Sequence, residues 1–220
     1  MDVVIFGTGK LAQLAYWYMS EDSDDDVRAF CVDGAYIESS ELLGLPVVAS
    51  EDIIERFPPN AVSIYVGVGY RDINRARANI CERLKSLGYG LASYVSSRIQ
   101  TTGPVEIGEH CFLQHGIICQ PNARIGNDVV IWSGAHVGAG SIIGDHVYIS
   151  PNAAIGGDAT IGTYSFLGLN ASVRNGVSVA ERSVIGAAAY IDRDTRAGEV
   201  VRSAKSEHLS VNSCELREFK

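Results

Sequence analysis

Residues 125–160 read IGNDVV-IWSGAH-VGAGSI-IGDHVY-ISPNAA-IGGDAT, six successive hexads that each begin with isoleucine or valine. Counted by six, this register runs from Ile107 to Ile191, and only Cys119 replaces an aliphatic residue in it. Four residues after each of these positions the chain carries a small or β-branched residue. Such a period predicts short strands joined by tight turns, three strands to a coil, stacked as a parallel β-helix.

In this β-helix the aliphatic residues would fill a triangular prism, with small residues at its crowded corners and glycines relieving the turns. The unbroken register from about Val105 to Ala197 predicts about five coils. Strand edges at the two ends need covers, and we expect the N-terminal domain to cover one of them. Some outward side chains are more apolar than a solvated face requires, which predicts a homotrimer: Ile118, Val130, Phe166 and Tyr190.

The first 95 residues follow a different pattern, in which short apolar runs alternate with helical segments. We expect strands at 3–6, 29–32, 46–48 and 62–68, with helices at about 10–19 and 72–87. This alternation predicts an α/β domain with a small Rossmann-like parallel sheet and ligands at its carboxyl edge. The chain is thus divided into an N-terminal domain (1–95), a β-helix domain (96–200) and a C-terminal tail (201–220).

Two glycine turns end strands of the N-terminal domain. The segment 7–12 fits G-x-G-x-x-A between a strand and a helix, where backbone N–H groups can bind a phosphate. The second turn is Gly69-Tyr70, and Asp33 follows a strand, where an acid often binds a sugar hydroxyl. A turn without ligand stays open as an alternative. Nicotinamide dinucleotide binding is disfavoured, because fewer than 100 residues leave no room for the second mononucleotide half.

Composition narrows the class of protein. A net charge of −8 argues against a nucleic-acid partner, and no apolar run approaches the ~20 residues of a membrane span. We expect no signal peptide, a solvated loop at the acidic run 21–26, and a cytoplasmic location. The last expectation rests on five cysteines without CxxC spacing, which read as reduced thiols: Cys31, Cys81, Cys111, Cys119 and Cys214.

A truncated nucleotide-binding domain followed by hexapeptide repeats resembles the bacterial sugar O- and N-acyltransferases. These include the sialic acid O-acetyltransferase type and the N-acetyltransferases of nucleotide-linked amino sugars. The resemblance covers nearly the whole chain and is strongest at 131–134, 141–146 and 165–173. It implies a left-handed β-helix, a homotrimer, acetyl-CoA as co-substrate between adjacent β-helices, no metal, and a nucleotide-linked amino sugar held by the N-terminal domain.

Carried over by position, the resemblance assigns roles to individual residues. Gly157 would direct its backbone N–H at the thioester carbonyl, where an oxyanion develops. With Gly157, two further residues would bind the acyl-CoA: Gly168 and Lys205. Lys205 belongs to a segment that is Pro-Ala-Lys in many relatives, although Ser203 replaces the proline here. The residues implied to bind the nucleotide sugar are Gly7, Thr8, Gly9, Lys10, Asp33, Gly69 and Tyr70.

One departure from the family concerns the general base. Relatives carry a histidine followed by glutamate or histidine. This chain has Ala139 and Gly140 at those two positions. His136, three residues earlier, is the candidate that could reach the same cleft as a catalytic residue. The remaining histidines are interpreted as ordinary exposed or interface residues: His110, His115, His146 and His208. A neutral amine is nucleophilic without a base, so the missing histidine favours N-acylation over O-acylation.

Three alternatives stay open. The chain could transfer an acyl group to a sugar or sialic acid hydroxyl, or it could be an inactive binding or assembly member of the same family. From another class, a zinc carbonic anhydrase on the same β-helix would use the H-x₄-H pair His110 and His115. The third histidine expected for that site falls at Asn74.

Overall fold

The computed structural model describes residues 1–205; His208, Cys214 and most of the predicted tail lie outside the described residues. The N-terminal domain has a six-stranded sheet of order β3-β4-β2-β1-β5-β6. Its strands are β1 (Asp2–Phe6), β2 (Asp26–Val32), β3 (Glu41–Leu42), β4 (Leu45–Ala49), β5 (Ser63–Val66) and β6 (Gly90–Leu91). The sheet is parallel except for β3, which forms an antiparallel hairpin with β4 through the positive-φ residues Leu43 and Gly44.

The helices of this domain are α1 (Lys10–Asp22), α2 (Ile53–Arg56) and α3 (Arg75–Ser86), with short 3₁₀ turns at Gly34–Tyr36 and Ser50–Asp52. Helix α3 begins later than predicted, because the three residues before it have left-handed backbone angles with φ of 48–66°. It ends before Gly88, which has φ +90° and terminates the helix as predicted. No helix among residues 1–205 is long and apolar enough to cross a membrane.

Within residues 94–201 the β-helix contains eighteen two-residue strands, which pair in parallel as three faces. Face 1 contains β7 (Tyr94–Val95), β10 (Phe112–Leu113), β13 (Val130–Ile131), β16 (Tyr148–Ile149), β19 (Phe166–Leu167), β22 (Val184–Ile185) and β24 (Val200–Val201). Face 2 contains β8 (Gln100–Thr101), β11 (Ile118–Cys119), β14 (His136–Val137), β17 (Ala154–Ile155), β20 (Ser172–Val173) and β23 (Tyr190–Ile191). Face 3 contains β9 (Glu106–Ile107), β12 (Arg124–Ile125), β15 (Ile142–Ile143), β18 (Thr160–Ile161) and β21 (Ser178–Val179).

The described β-helix has one coil more than the five that the register predicts. Its first strand, β7, pairs with β10 and lies just before the predicted boundary at residue 96. The sequence hides this coil because Thr101, a polar residue, occupies an aliphatic position opposite Cys119. At the other end β24 pairs with β22, and Val200 lies opposite Val184. These residues are sixteen positions apart instead of the eighteen of a full coil, so the last coil is shortened.

Both periodic positions of the hexad point into the prism and are buried, as predicted. The role expected for the glycines is wrong in part. The left-handed residue of each turn lies three positions after the aliphatic, at every sixth residue from His110 to Ala188, with φ of 55–74°. The glycine directly after the aliphatic is needed for stacking instead: a Cβ on Gly138 would lie 2.5 Å from the N of Gly157 in the next coil.

The N-terminal domain packs along face 1, not over an end of the β-helix as predicted. Phe112 of face 1 lies 5.3–5.8 Å, ring to ring, from three tyrosines: Tyr18, Tyr65 and Tyr94. The expectation that Val130 and Phe166 face other copies of the chain is therefore wrong, because both pack in this seam. On face 2, Ile118 and Tyr190 are 38% and 61% exposed.

The acidic run 21–26 is a solvated loop only in part: Asp24 is exposed as predicted, whereas Asp22 fastens the seam. Helix α1 continues through Asp22, whose carboxylate accepts hydrogen bonds from Tyr94 Oη (2.7 Å), Ser96 Oγ (2.6 Å) and Ser97. The hydrogen bonds from Ser96, Ser97 and Tyr94 hold the pKa of Asp22 well below its usual range. The end of α1 is thereby tied to the first coil.

Candidate active site

A cavity of about 830 Å³ opens between the carboxyl edge of the N-terminal sheet and the β-helix. Strands β1 and β5 are neighbours, so the turns that follow them meet at this edge. Six of the seven predicted sugar-binding residues line the cavity: Gly7, Thr8, Gly9, Lys10, Gly69 and Tyr70. The fold therefore brings six of the residues predicted from the sequence together around one cavity.

The glycines of the two turns differ in what they do. A Cβ on Gly67 would lie 2.5 Å from Ala12 Cα, and Gly7 has φ +113°, so these two glycines allow tight packing of the turns. Gly9 and Gly69, in contrast, would have nothing within 4 Å of an added Cβ. Their surfaces are open toward the cavity, which leaves space for a ligand to approach the backbone.

One end of the cavity is suited to an anion. Helix α1 spans 13 residues from Lys10, and its N-cap residue Gly9 provides no side-chain cap for the first N–H groups. Uncapped N–H groups and the helix dipole favour a phosphate there. Lys10 and Arg71 add positive charge to the lining, and Gln13 Nε2 holds the turn by donating to Thr8 O at 2.9 Å.

The other end of the cavity is aromatic and belongs to both domains. Tyr70 lies 5.1 Å from the ring of Tyr148 and 5.0 Å from that of Phe166, and Trp132 completes the wall. Burial raises the pKa of Tyr148 to about 12, so its hydroxyl stays protonated at neutral pH. Trp132 and Tyr148 were not selected from the sequence, since their contact depends on which face the N-terminal domain covers.

Asp33 is not among the residues that line the cavity, although its neighbour Val32 is. Its Oδ1 accepts hydrogen bonds from Ser50 Oγ at 2.6 Å and Arg83 Nη2 at 2.8 Å. Burial opposes ionisation, but these two partners outweigh it and lower the pKa of Asp33. The carboxylate thus supports the rim of the cavity in this structure.

The predicted acyl-transfer position lies elsewhere, at the turn between faces 2 and 3. Gly157 stacks on the turn of Ala139, since a Cβ on Gly157 would be 3.2 Å from Ala139 O. The backbone N–H of Gly157 donates to Asn175 Oδ1 at 3.1 Å. An oxyanion would have to take the place of that side chain, which the sequence did not indicate. His136 lies on face 2 itself, half-buried, between Ile118 and Ala154.

The other two predicted acyl-CoA residues lie at the turn between faces 1 and 2. A cavity of about 470 Å³ is lined there by Gly186, Ala187, Arg202, Ser203 and Lys205. Gly168 is one coil away, and a Cβ on it would lie 2.6 Å from Ala187 N. Ser203 takes part in the turn, because its Oγ donates to Ala187 O at 2.9 Å. Arg202 and Lys205 make this cavity basic.

Two histidines expected to be exposed or interface residues belong to a buried network at the turn between faces 3 and 1. Arg77 is fully buried, and its Nε donates to Asp128 Oδ1 at 2.6 Å. His146 Nδ1 lies 2.8 Å from Asp128 Oδ2. Val66 N–H donates to His110 Nε2 at 2.8 Å, so the proton of His110 is on Nδ1, 2.7 Å from Asp128 Oδ1.

This network does not fit the zinc site considered from the sequence. His115 is separate from it, since its Nδ1 lies 3.0 Å from Tyr18 Oη. Cys81, His110 and Asp128 are close enough to hold an ion. Their chemistry opposes one, because His110 carries its proton on the facing nitrogen and Arg77 already neutralises Asp128. Burial also raises the pKa of the Cys81 thiol, which disfavours the thiolate that a metal needs.

Comparison with known proteins bears on the fold. Residues 122–157 match the family model of the bacterial transferase hexapeptide (six repeats), and residues 158–193 match the hexapeptide repeat of succinyl-transferase. The β-helix domain therefore carries the hexapeptide repeat of bacterial transferases. Comparison with curated protein sequences finds no match.

Solved structures match almost the whole chain. PerB from Caulobacter crescentus in complex with CoA and GDP-perosamine is 23% identical, covers 92% of this chain and 94% of its own, and gives a TM-score of 0.82. The acetyltransferase domain of PglB from Neisseria gonorrhoeae in complex with acetyl coenzyme A is 21% identical, with 92% and 96% covered and a TM-score of 0.79. The predicted fold, an α/β domain followed by a left-handed parallel β-helix, is confirmed.

Proposed function

We propose that this chain is an N-acyltransferase that moves an acetyl group from acetyl-CoA to the amine of a nucleotide-linked amino sugar. The observation that carries the proposal is the cavity, with an anion-binding end at helix α1 and an aromatic end at Tyr70, Trp132 and Tyr148. A nucleotide sugar has the matching chemistry, because its diphosphate is anionic and a sugar ring packs well on aromatic side chains. The similar structures hold CoA, acetyl coenzyme A or GDP-perosamine, which supports the same ligands here.

A homotrimer is part of the proposal. Within one chain the sugar cavity borders face 1 at Tyr148 and the turn between faces 1 and 2 at Trp132. The basic cavity of Lys205 lies at the turn between faces 1 and 2, whereas Gly157 lies at the turn between faces 2 and 3. Face 2 separates these two places. A second copy packed along face 2 would bring its Gly157 turn to the cavities of the first. Light scattering that gives a concentration-independent monomer would exclude this arrangement.

N-acylation is favoured over O-acylation because no histidine occupies position 139. An inactive binding or assembly role is the competing proposal. Thiol release is measured while the protein is incubated with acetyl-CoA and a panel of nucleotide amino sugars or hydroxyl acceptors. This measurement distinguishes the transferase from the inactive binding or assembly role. Thiol release that depends on the amine supports the transferase, and release only with hydroxyl acceptors supports O-acylation. Sugar binding without thiol release supports the inactive role. The buried free cysteines fit a reducing compartment such as the cytoplasm.

The cavity can be tested by its open glycine. Gly9→Val should weaken nucleotide-sugar binding at least tenfold, since the side chain enters the space where a phosphate would meet the backbone. The β-helix should keep its thermal stability. Asp33→Ala should weaken binding less, because Asp33 supports the rim and does not line the cavity. Unchanged affinity in both variants, measured by calorimetry, would show that the sugar binds elsewhere.

A further inference from the structure

One acidic side chain lies over the turn in which acyl transfer is proposed. Asp158 follows Gly157, has φ +56°, and donates its backbone N–H to Ala139 O at 2.8 Å. Its Oδ1 would be 2.5 Å from a Cβ on Gly140, so the carboxylate lies directly over the α-carbon of that glycine. The side chain is exposed. Among residues 1–205 no side chain forms a hydrogen bond or ion pair with this carboxylate.

The neighbours of Asp158 along this edge of the prism leave it accessible. The left-handed position of successive turns between faces 2 and 3 is occupied by Asn122, Gly140, Asp158 and Gly176. Asp158 is thus the only ionisable residue of the four, and it has a glycine on each side. An added Cβ on Gly176 would meet nothing within 4 Å. Because both neighbours are glycines, a substrate has room beside the carboxylate. Larger side chains at those two positions would fill that room.

We propose that Asp158 accepts the proton released when the sugar amine attacks the thioester; this rests on the proposed function. The amine nitrogen forms a bond to the carbonyl carbon, the carbon–sulfur bond breaks, and CoA leaves as a thiolate. The nitrogen loses one proton to the Asp158 carboxylate, which passes it to the thiolate, so the products are the amide and CoA thiol. A carboxylate is basic enough for this step, because the nitrogen is positively charged once it has bonded to carbon.

Geometry favours Asp158 over His136 for this role. Asp158 contacts the turn of Ala139 through its backbone and covers Gly140 with its side chain. His136 belongs to strand β14 on face 2 and pairs at Cα with Ile118 and Ala154. A proton acceptor has to lie within hydrogen-bond reach of the reacting atom, and position comes before intrinsic basicity in selecting it.

The experiment measures kcat and KM of the full-length protein by thiol release with acetyl-CoA and the nucleotide amino sugar that proves active. Asp158→Asn should lower kcat about a hundredfold and change both KM values less than threefold, as for loss of general-base help. Asp158→Gly should behave alike and keep the fold, because glycine adopts φ +56° without strain. Added formate should restore part of the Asp158→Gly rate, which a purely structural role would not allow. The matched control, Asp192→Asn, removes an exposed carboxylate two coils away and should keep kcat.

Other outcomes overturn the proposal. If His136→Ala lowers kcat a hundredfold while Asp158→Asn does not, the proton acceptor is His136. If neither variant loses more than threefold, the amine transfers its proton to solvent and no side chain is required. If the unmodified protein releases no thiol with any amino sugar, the proposed function itself fails. That result is distinguishable, because it is seen before any substitution is made.

Discussion

Faces 1 and 2 of the β-helix are both built of two-residue strands, but their outward side chains differ in exposure. On face 1 the outward residues Phe112 and Val130 are 0% and 2% exposed, since the N-terminal domain covers them. On face 2 the corresponding outward residues Ile118 and Tyr190 are 38% and 61% exposed. From sequence alone Val130 and Tyr190 are equivalent. The hexad period tells which side chains point outward, but it does not tell which outward face another domain covers.

The seam on face 1 should depend most strongly on its buried ion pair. Asp128→Asn removes the negative charge that pairs with the fully buried Arg77, and breaking such a pair costs about 3–5 kcal/mol. Urea unfolding would measure the change. Glu106→Gln is the matched control, because Glu106 pairs with Arg124 at 3.5 Å on the exposed face 3. That control should cost less than about 1 kcal/mol, and equal losses in the two variants would contradict the assignment.

The apolar part of the comparison is tested by truncating one ring on each face. Phe112→Ala should lower the free energy of unfolding by about 3 kcal/mol, because it opens a cavity among three tyrosine rings. Tyr190→Ala should leave the stability of the isolated chain within about 0.5 kcal/mol. Its effect should appear instead as weaker self-association in light scattering. If Tyr190→Ala destabilises a monomer as much as Phe112→Ala does, faces 1 and 2 are not different in the way described.

Features that depend on local sequence could be predicted, whereas features that depend on contacts between distant parts of the chain could not. Inside the prism each hexad repeats one local environment, so the positions from Ile107 to Ile191 could be read directly. The cavity glycines Gly7 and Gly9 could be predicted because they belong to a local G-x-G-x-x-A pattern between a strand and a helix. Trp132 and Tyr148 could not, since they line the cavity only through contact between domains. The same holds for Arg77 and Asp128, which are 51 residues apart and meet at the seam.

Glycine-to-alanine substitutions compare the stability cost of a methyl group between stacked coils with its cost at an open turn of the cavity. Gly138→Ala should cost about 1–3 kcal/mol, because the new Cβ would meet the backbone N of Gly157 at 2.5 Å and backbone cannot move aside. Gly69→Ala is the control and should cost less than about 0.5 kcal/mol, since nothing lies within 4 Å. Thermal unfolding of the two variants decides whether these glycines are needed for space. Equal Tm values would mean that the coils can move apart.

The smallest expected effect concerns the tie of Asp22 to the first coil, and it depends on pH. The hydrogen bonds from Ser96, Ser97 and Tyr94 lower the pKa of Asp22 in the folded protein. A lowered folded pKa means that the stabilisation is present above the unfolded value of about 3.9 and is lost as pH falls through the folded value.

Asp22→Asn should therefore cost roughly 1 kcal/mol at pH 6, and the difference from the unmodified chain should shrink as pH falls below about 4. Asp24→Asn, which removes an exposed carboxylate of the same acidic run, controls for net charge and should show no such convergence. Urea unfolding of the three proteins between pH 6 and 3 measures the difference. A gap between Asp22→Asn and the unmodified chain that widens toward low pH would mean that the carboxylate of Asp22 is not the group that fastens helix α1 to the β-helix.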